Sequence, residues 1–161
     1  MIKLMLAFLL FSVTIGCDNT HRKTPVESET VTAHNENQDS ENASGIVNNN
    51  WVDEIVLNNG SKWEANKETT QGVANMLDLI KNNNKENLND YHELAIKLND
   101  EKNILVKKCT MKGPSHDNLH IFLHPLIEKI DALIIASSLD EAISISKSIR
   151  ENLELYNTFF K

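Results

Sequence analysis

Apolar positions along the chain change character twice. From Leu4 to Ile15 they run almost unbroken. From Asp18 to about Asn50 they are scarce, and Ser, Thr, Asn, Glu and His take their place without a single aromatic residue. From Trp51 onward they return at steps of three and four, the spacing that lines one face of a helix. A first helix is predicted over Lys67 to Lys81, with Val73, Met76, Leu77 and Ile80 on its stripe. Asn82, Asn83 and Asn84 end it, Asn being tolerant of a left-handed terminal residue. A second runs from Leu88 to Cys109 through Tyr91, Leu94, Ala95, Leu98 and Leu105, its stripe interrupted at Glu101 and Lys102. That register puts Cys109 on the inward side of the last turn.

Gly113-Pro114 breaks the chain, and Ser115 is the expected N-cap of a third helix reaching about Ala136. Leu119, Phe122, Leu123, Leu126, Ile127, Ile130, Leu133 and Ile134 give it a wide apolar face. Pro125 lies inside it and predicts a kink or break beside His124, since proline removes an amide donor and clashes one turn back. Ser138-Leu139-Asp140-Glu141 matches a capping box for a fourth helix. Its stripe is Ala142, Ile145, Ile149, Leu153, Tyr156 and Phe160. Ahead of the helices, Ile55-Val56-Leu57 and Lys62-Trp63 flank Asn58-Asn59-Gly60-Ser61, and Asn-Gly between apolar runs signals a short β-hairpin or extended lid. Trp51 and Trp63 would lie against the helices. The fold class is therefore all-α: an antiparallel up-down four-helix bundle over 51–161, with a hairpin or lid before it and a disordered tether over 17–50.

The N-terminal run changes the address. Lys3, the apolar stretch and Gly16-Cys17 describe a signal peptide over 1–16. The stretch is too short to cross a bilayer as a helix, which takes about 20 residues. With Cys17 at the cleavage point, Cys109 is the one remaining thiol, so no intramolecular disulfide forms. Outside the cytoplasm a lone thiol is either buried as a small hydrophobe or engaged by a metal or redox partner. The net charge of −7 argues against nucleic-acid binding, which needs a basic face.

Candidate chemistry concentrates between Cys109 and His124, where Cys109, Met111, His116, His120 and His124 occur in close succession. Residues four apart on a helix stand nearly above one another, so His116 and His120 can aim at one ion. His124 extends the row. The connection ahead can bring Cys109 and Met111 to the same helix end, giving a Cys, Met, His, His set. Thiolate and thioether favour copper(I), whereas imidazole suits copper and zinc alike. Asp117 or Asp90 could orient an imidazole. The packing alternative makes Cys109, Met111 and His120 members of the core edge. Haem b on His116, His120 or Met111 is a further option; covalent haem attachment is excluded by the lack of a CxxCH motif. A cofactor-free bundle docking a protein partner through Trp51 and Trp63 is another, and exposed indoles would mark it. No nucleophile elbow, phosphate loop or dinucleotide fingerprint is present, and Cys109 with His92 alone does not make a thiol enzyme, so no catalytic residue is expected. His21 and His34 lie in the polar tail and read as filler.

The first twenty residues, with Thr14-Ile15-Gly16-Cys17 as lipobox, resemble a bacterial lipoprotein leader. That resemblance implies lipidation (palmitate) of Cys17 and anchoring to the cell membrane or outer membrane, outside the cytoplasm, in the periplasm or elsewhere in the cell envelope. The domain is similar to small helical-bundle lipoproteins of flavobacterial type. The residues carrying that similarity are Asn59-Gly60-Ser61-Lys62-Trp63, Asn66, Cys109-Thr110-Met111-Lys112-Gly113, His116 and Leu119-His120. It implies no catalytic assignment.

Overall fold

The computed structural model describes residues 45–161, and the expected signal peptide, Cys17 and most of the expected tether lie outside these residues. The described chain is all-helical. A 3-10 turn at Asn50–Asp53 precedes four α-helices: α1 (Lys67–Asn82), α2 (Leu88–Lys108), α3 (Pro114–Ile134) and α4 (Leu139–Phe159). None is long and apolar enough to cross a membrane.

Each stripe read from the sequence turns inward. Val73, Met76 and Ile80 of α1, Leu94, Leu98 and Leu105 of α2, Phe122, Leu126, Ile130 and Leu133 of α3, and Ile145, Ile149, Leu153 and Tyr156 of α4 form one buried cluster. α1 packs on α2 and α4, α2 on α3, and α3 on α4. Asn75 donates to Glu101 at 3.0 Å and Asn83 to the Asp90 carbonyl at 3.4 Å, so the start of α1 lies beside the end of α2 and the end of α1 beside its start. Glu101, the interruption in the α2 stripe, is used there. Gly72 allows the helices to meet: a Cβ on it would stand 3.0 Å from Leu105 Cβ.

The helix ends show where local chemistry departs from the sequence reading. Asn83 closes α1 with φ −82°, an extended residue and not the expected left-handed one. Lys85 instead sends its ammonium to the Ile80 carbonyl, supplying one of the donors that carbonyls at a helix end lack. α2 opens on a capping box of Asn87 and Asp90 that the sequence reading passed over. Asp90 accepts from the backbone amides of Glu86 and Asn87 there. At α3 the cap is Gly113, not Ser115: its φ of 63° with ψ −150° suits glycine almost alone, and Pro114 takes the first helical position, where its missing N–H costs nothing. α3 then continues through Pro125 without a break. Pro125 is half-buried at the helix edge, beside half-buried Ile121, where water can solvate the carbonyl left without its amide. Ser138 caps α4, but Glu141 completes only half of the box. Its carboxylate turns to the amide and hydroxyl of Ser137, which hold it below the usual carboxylate range.

The Asn-Gly signal produces a tight turn and little more. Asn59 and Gly60 both take positive φ, 49° and 83°, and Asn58 exchanges two backbone hydrogen bonds with Ser61. Pairing stops there, and no strand occurs among the described residues. Ile55 faces the core while the Trp63 backbone is used elsewhere: Trp63 pairs with Phe160, donating to the Phe159 carbonyl at 2.8 Å and accepting from Lys161 at 3.0 Å. The segment is thus stitched to the C-terminal end of α4.

Packing also begins ahead of Trp51, the expected start of the domain. Ser148 donates to the Val47 carbonyl at 2.6 Å, and Asn49 reaches the Ser148 carbonyl at 3.5 Å. Asparagine amides make part of this attachment, so a hydrophobic pattern does not reveal it.

Candidate functional site

Of the five residues named from the sequence, the structure brings His116 and His120 into contact. They lie one turn apart near the start of α3, with Nε2 atoms 3.2 Å apart and ring centroids 4.4 Å apart. One ring donates and the other accepts. His120 is exposed and His116 half-buried. A tetrahedral ion bound about 2.0–2.1 Å from each of two imidazole nitrogens separates them by about 3.3 Å, so the pair already stands at a metal-chelating distance.

His124 continues the row, exposed, with its ring centroid 6.2 Å from that of His120. His120 and His124 line a surface cavity of about 470 Å³ with Trp51, Glu54, Pro125 and Glu128. The groove lies between the outer face of α3 and the segment ahead of the helices. Its two carboxylates favour a cation.

Cys109 and Met111 lie in the connection between α2 and α3. Cys109 is the residue that ends α2, half-buried, and both it and Met111 pack against the hydrophobic cluster. Cys109 stands near enough to Tyr156 to act on its phenol. Burial raises the Tyr156 pKa first, a hydrogen bond from Thr70 opposes this, and Cys109 adds to the rise. Among the described residues, no three or more of His, Cys, Asp and Glu are grouped to hold a metal ion. Asp117 is an exposed residue in the first turn of α3. His92 is engaged with the Ala136 carbonyl at 3.0 Å, and it stands on the order of 25 Å along α2 from Cys109.

The two indoles divide. Trp51 is 5% exposed, its edge against Phe122 at a centroid distance of 5.5 Å and its face tilted on Phe159 at 5.7 Å. Trp63 is half-buried and donates to the Val56 carbonyl at 2.6 Å. A partner surface built on Trp51 would have to pull it from this pocket. Leu98, Leu105, Leu126 and Ile130 are each 0% exposed, so a haem set between the helices would displace fully buried side chains.

The most unusual polar group went unnoticed in the sequence reading. Lys129, 1% exposed, lies between α3 and α4, where its ammonium donates to Asn49 Oδ1 and, at 3.1 Å, to Asn152 Oδ1. Burial pulls its pKa down to about 8, against the opposing attraction of Glu151 and Glu128. A signal was present: Lys129 falls on the line Phe122, Leu126, Leu133, and Asn152 on the line Ile145, Ile149, Tyr156. Two polar residues on facing apolar stripes read as partners.

Comparison of the chain with known protein families, curated proteins and solved structures finds no match.

Proposed function

We propose that this chain is a lipid-anchored protein of the cell envelope whose helical bundle binds a transition-metal ion, copper or zinc, through the imidazoles of His116 and His120. The observation that carries the reading is the 3.2 Å separation of their Nε2 atoms on an accessible face. Both nitrogens need only release the proton they share and turn their lone pairs to the ion. Imidazole ligands suit either metal. His124 is the next donor in the row, and water completes the shell. In this reading Cys109 and Met111 are packing residues, and the bundle, in up-and-down order, is a binding module and not an enzyme.

Titrating the reduced full chain in detergent with Cu(I), Cu(II) and Zn(II) tests it. One ion per chain is expected, with affinity at least tenfold weaker in His116→Ala and in His120→Ala. Cys109→Ala and Met111→Ala should bind as the parent does. Absence of binding, or binding indifferent to both histidines, would sink the metal reading. Loss of binding in Cys109→Ala would move the ligand set to the thiol.

The anchor rests on Lys3, the apolar run Leu4 to Ile15, and Gly16-Cys17. Cys17→Ser should leave the protein unlipidated and shift it out of the lipoprotein fraction on detergent phase separation. An unchanged partition would remove Cys17 from the anchor.

A further inference from the structure

The segment 47–55 lies along α3 and α4 like a strap, and its fastenings are mostly polar. Ser148 holds the Val47 carbonyl at 2.6 Å. Asn49 Oδ1 accepts both the Trp51 indole N–H, at 3.1 Å, and the Lys129 ammonium. Trp51 plugs the aromatic cluster, and Asn118 Oδ1 takes the Val56 amide at 3.1 Å. Beneath it, Lys129 and Asn152 are buried polar side chains, as are Asn118 and Ser148 that fasten the strap.

We propose that this strap is a releasable, proton-sensitive latch, with Lys129 as the group that links its docking to pH. The geometry supplies the linkage. Lys129 is enclosed by α3, α4 and the strap, and Asn49 is the strap's own contact with the ammonium. Lifting the strap hydrates Lys129 and restores its ordinary preference for the charged form. Docking therefore favours the neutral amine. The charged groups acting on it are Glu128 from α3 and Glu151 from α4; the strap contributes neutral Asn49, and its acids Asp53 and Glu54 are exposed.

A docked pKa of about 8 lies below the ordinary 10.5. Below pH 8 both states carry the proton and docking is at its weakest. As pH rises through 8 toward 10.5 the docked strap gains, because it has already given up a proton that the open form keeps. If strap burial causes the whole shift, docking strengthens by up to about tenfold between pH 7 and pH 9. An open strap frees the aromatic seam and removes one wall of the groove that His120 and His124 line. The latch stands independently of metal binding.

Hydrogen exchange on the metal-free full chain tests it. After correction for intrinsic rates, protection of the Val52, Glu54, Ile55 and Val56 amides is expected to rise up to about tenfold from pH 7 to pH 9. Amides in the middle of α2, which exchange when the whole chain unfolds and Lys129 is hydrated with it, should share the rise. Lys129→Met should keep the strap docked and flatten the dependence. Asn49→Ala, which removes the strap's own acceptor for the Lys129 ammonium, should lower protection most in the strap. A flat profile in the parent chain would overturn the latch. An equal rise in Lys129→Met would do so as well. Should Lys129→Met not fold, Asn49→Ala decides: unchanged strap protection ends the proposal.

Discussion

Replacing Phe122 with alanine is expected to lower the unfolding free energy by about 3–5 kcal/mol, the range for deleting a fully buried aromatic ring. Phe122 is 0% exposed and stands where three parts of the chain meet. Its ring meets Trp51 from the strap at 5.5 Å, Tyr156 of α4 at 5.3 Å and Phe160 at 6.3 Å. Tyr156 and Phe160 stack at 4.9 Å and leave little freedom to collapse into the void. Urea unfolding followed by far-ultraviolet circular dichroism measures the loss. Trp51 fluorescence should shift to the red under native conditions, since the edge that held the indole is gone. A loss under about 1 kcal/mol would show that the cluster repacks and that Phe122 is not its centre.

The second large effect concerns charge. Asn152→Ala removes one of two acceptors from the Lys129 ammonium, and hydrogen bonds to charged groups contribute about 1.5–3 kcal/mol. A cost of about 2–3 kcal/mol is expected at pH 7. It should shrink at pH 9.5, where the amine is largely neutral in the folded chain and an unmet bond to it matters less. Asn152 also donates to the Phe122 carbonyl at 3.4 Å, so part of the cost persists at every pH. The double change Lys129→Met with Asn152→Leu exchanges a buried polar pair for apolar volume and should recover most of the loss. A pH-independent cost would detach Asn152 from the lysine's charge.

How much of this was legible in the sequence differs by kind of residue. The stripes of α1 to α4 were readable because burial of Leu, Ile, Val and Phe at steps of three and four has few alternatives in a chain this size. Helix ends were less so. Asn82-Asn83-Asn84 and Ser115 are residues with several local uses, and the choice among them fell to Lys85 and to Gly113-Pro114. The capping box at Asn87 and Asp90 was present as a pattern and was overlooked. The hairpin signal at Asn59-Gly60 gave the turn, but the partner of the Trp63 backbone lay about a hundred residues away at Phe160, beyond any local rule.

The candidate site divides along the same line. His116 and His120 meet because the helix itself fixes their spacing. Bringing Cys109 and Met111 to them depended on the path of the connection between α2 and α3. That path places both against the hydrophobic cluster, where a thiol and a thioether already have apolar contacts. The strap was invisible for another reason: Asn48, Asn49 and Asn50 look like the end of a polar tail, and Asn49 alone of the three finds partners on the helices, in the Lys129 ammonium and the Ser148 carbonyl.

The stitch between Trp63 and Lys161 has a mechanical consequence. Trp51 rests on Phe159, and the Trp63 and Ala65 backbones are tied to residues 159–161, so the segment ahead of α1 is gathered at the end of α4. A pull exerted between an anchor before the strap and a load on Lys161 would run through these few side-chain and backbone links. The strap's ties to Ser148, Lys129 and Asn118 pass part of that load into α4 and α3, while α1 and α2 carry none of the strap's side-chain fastenings.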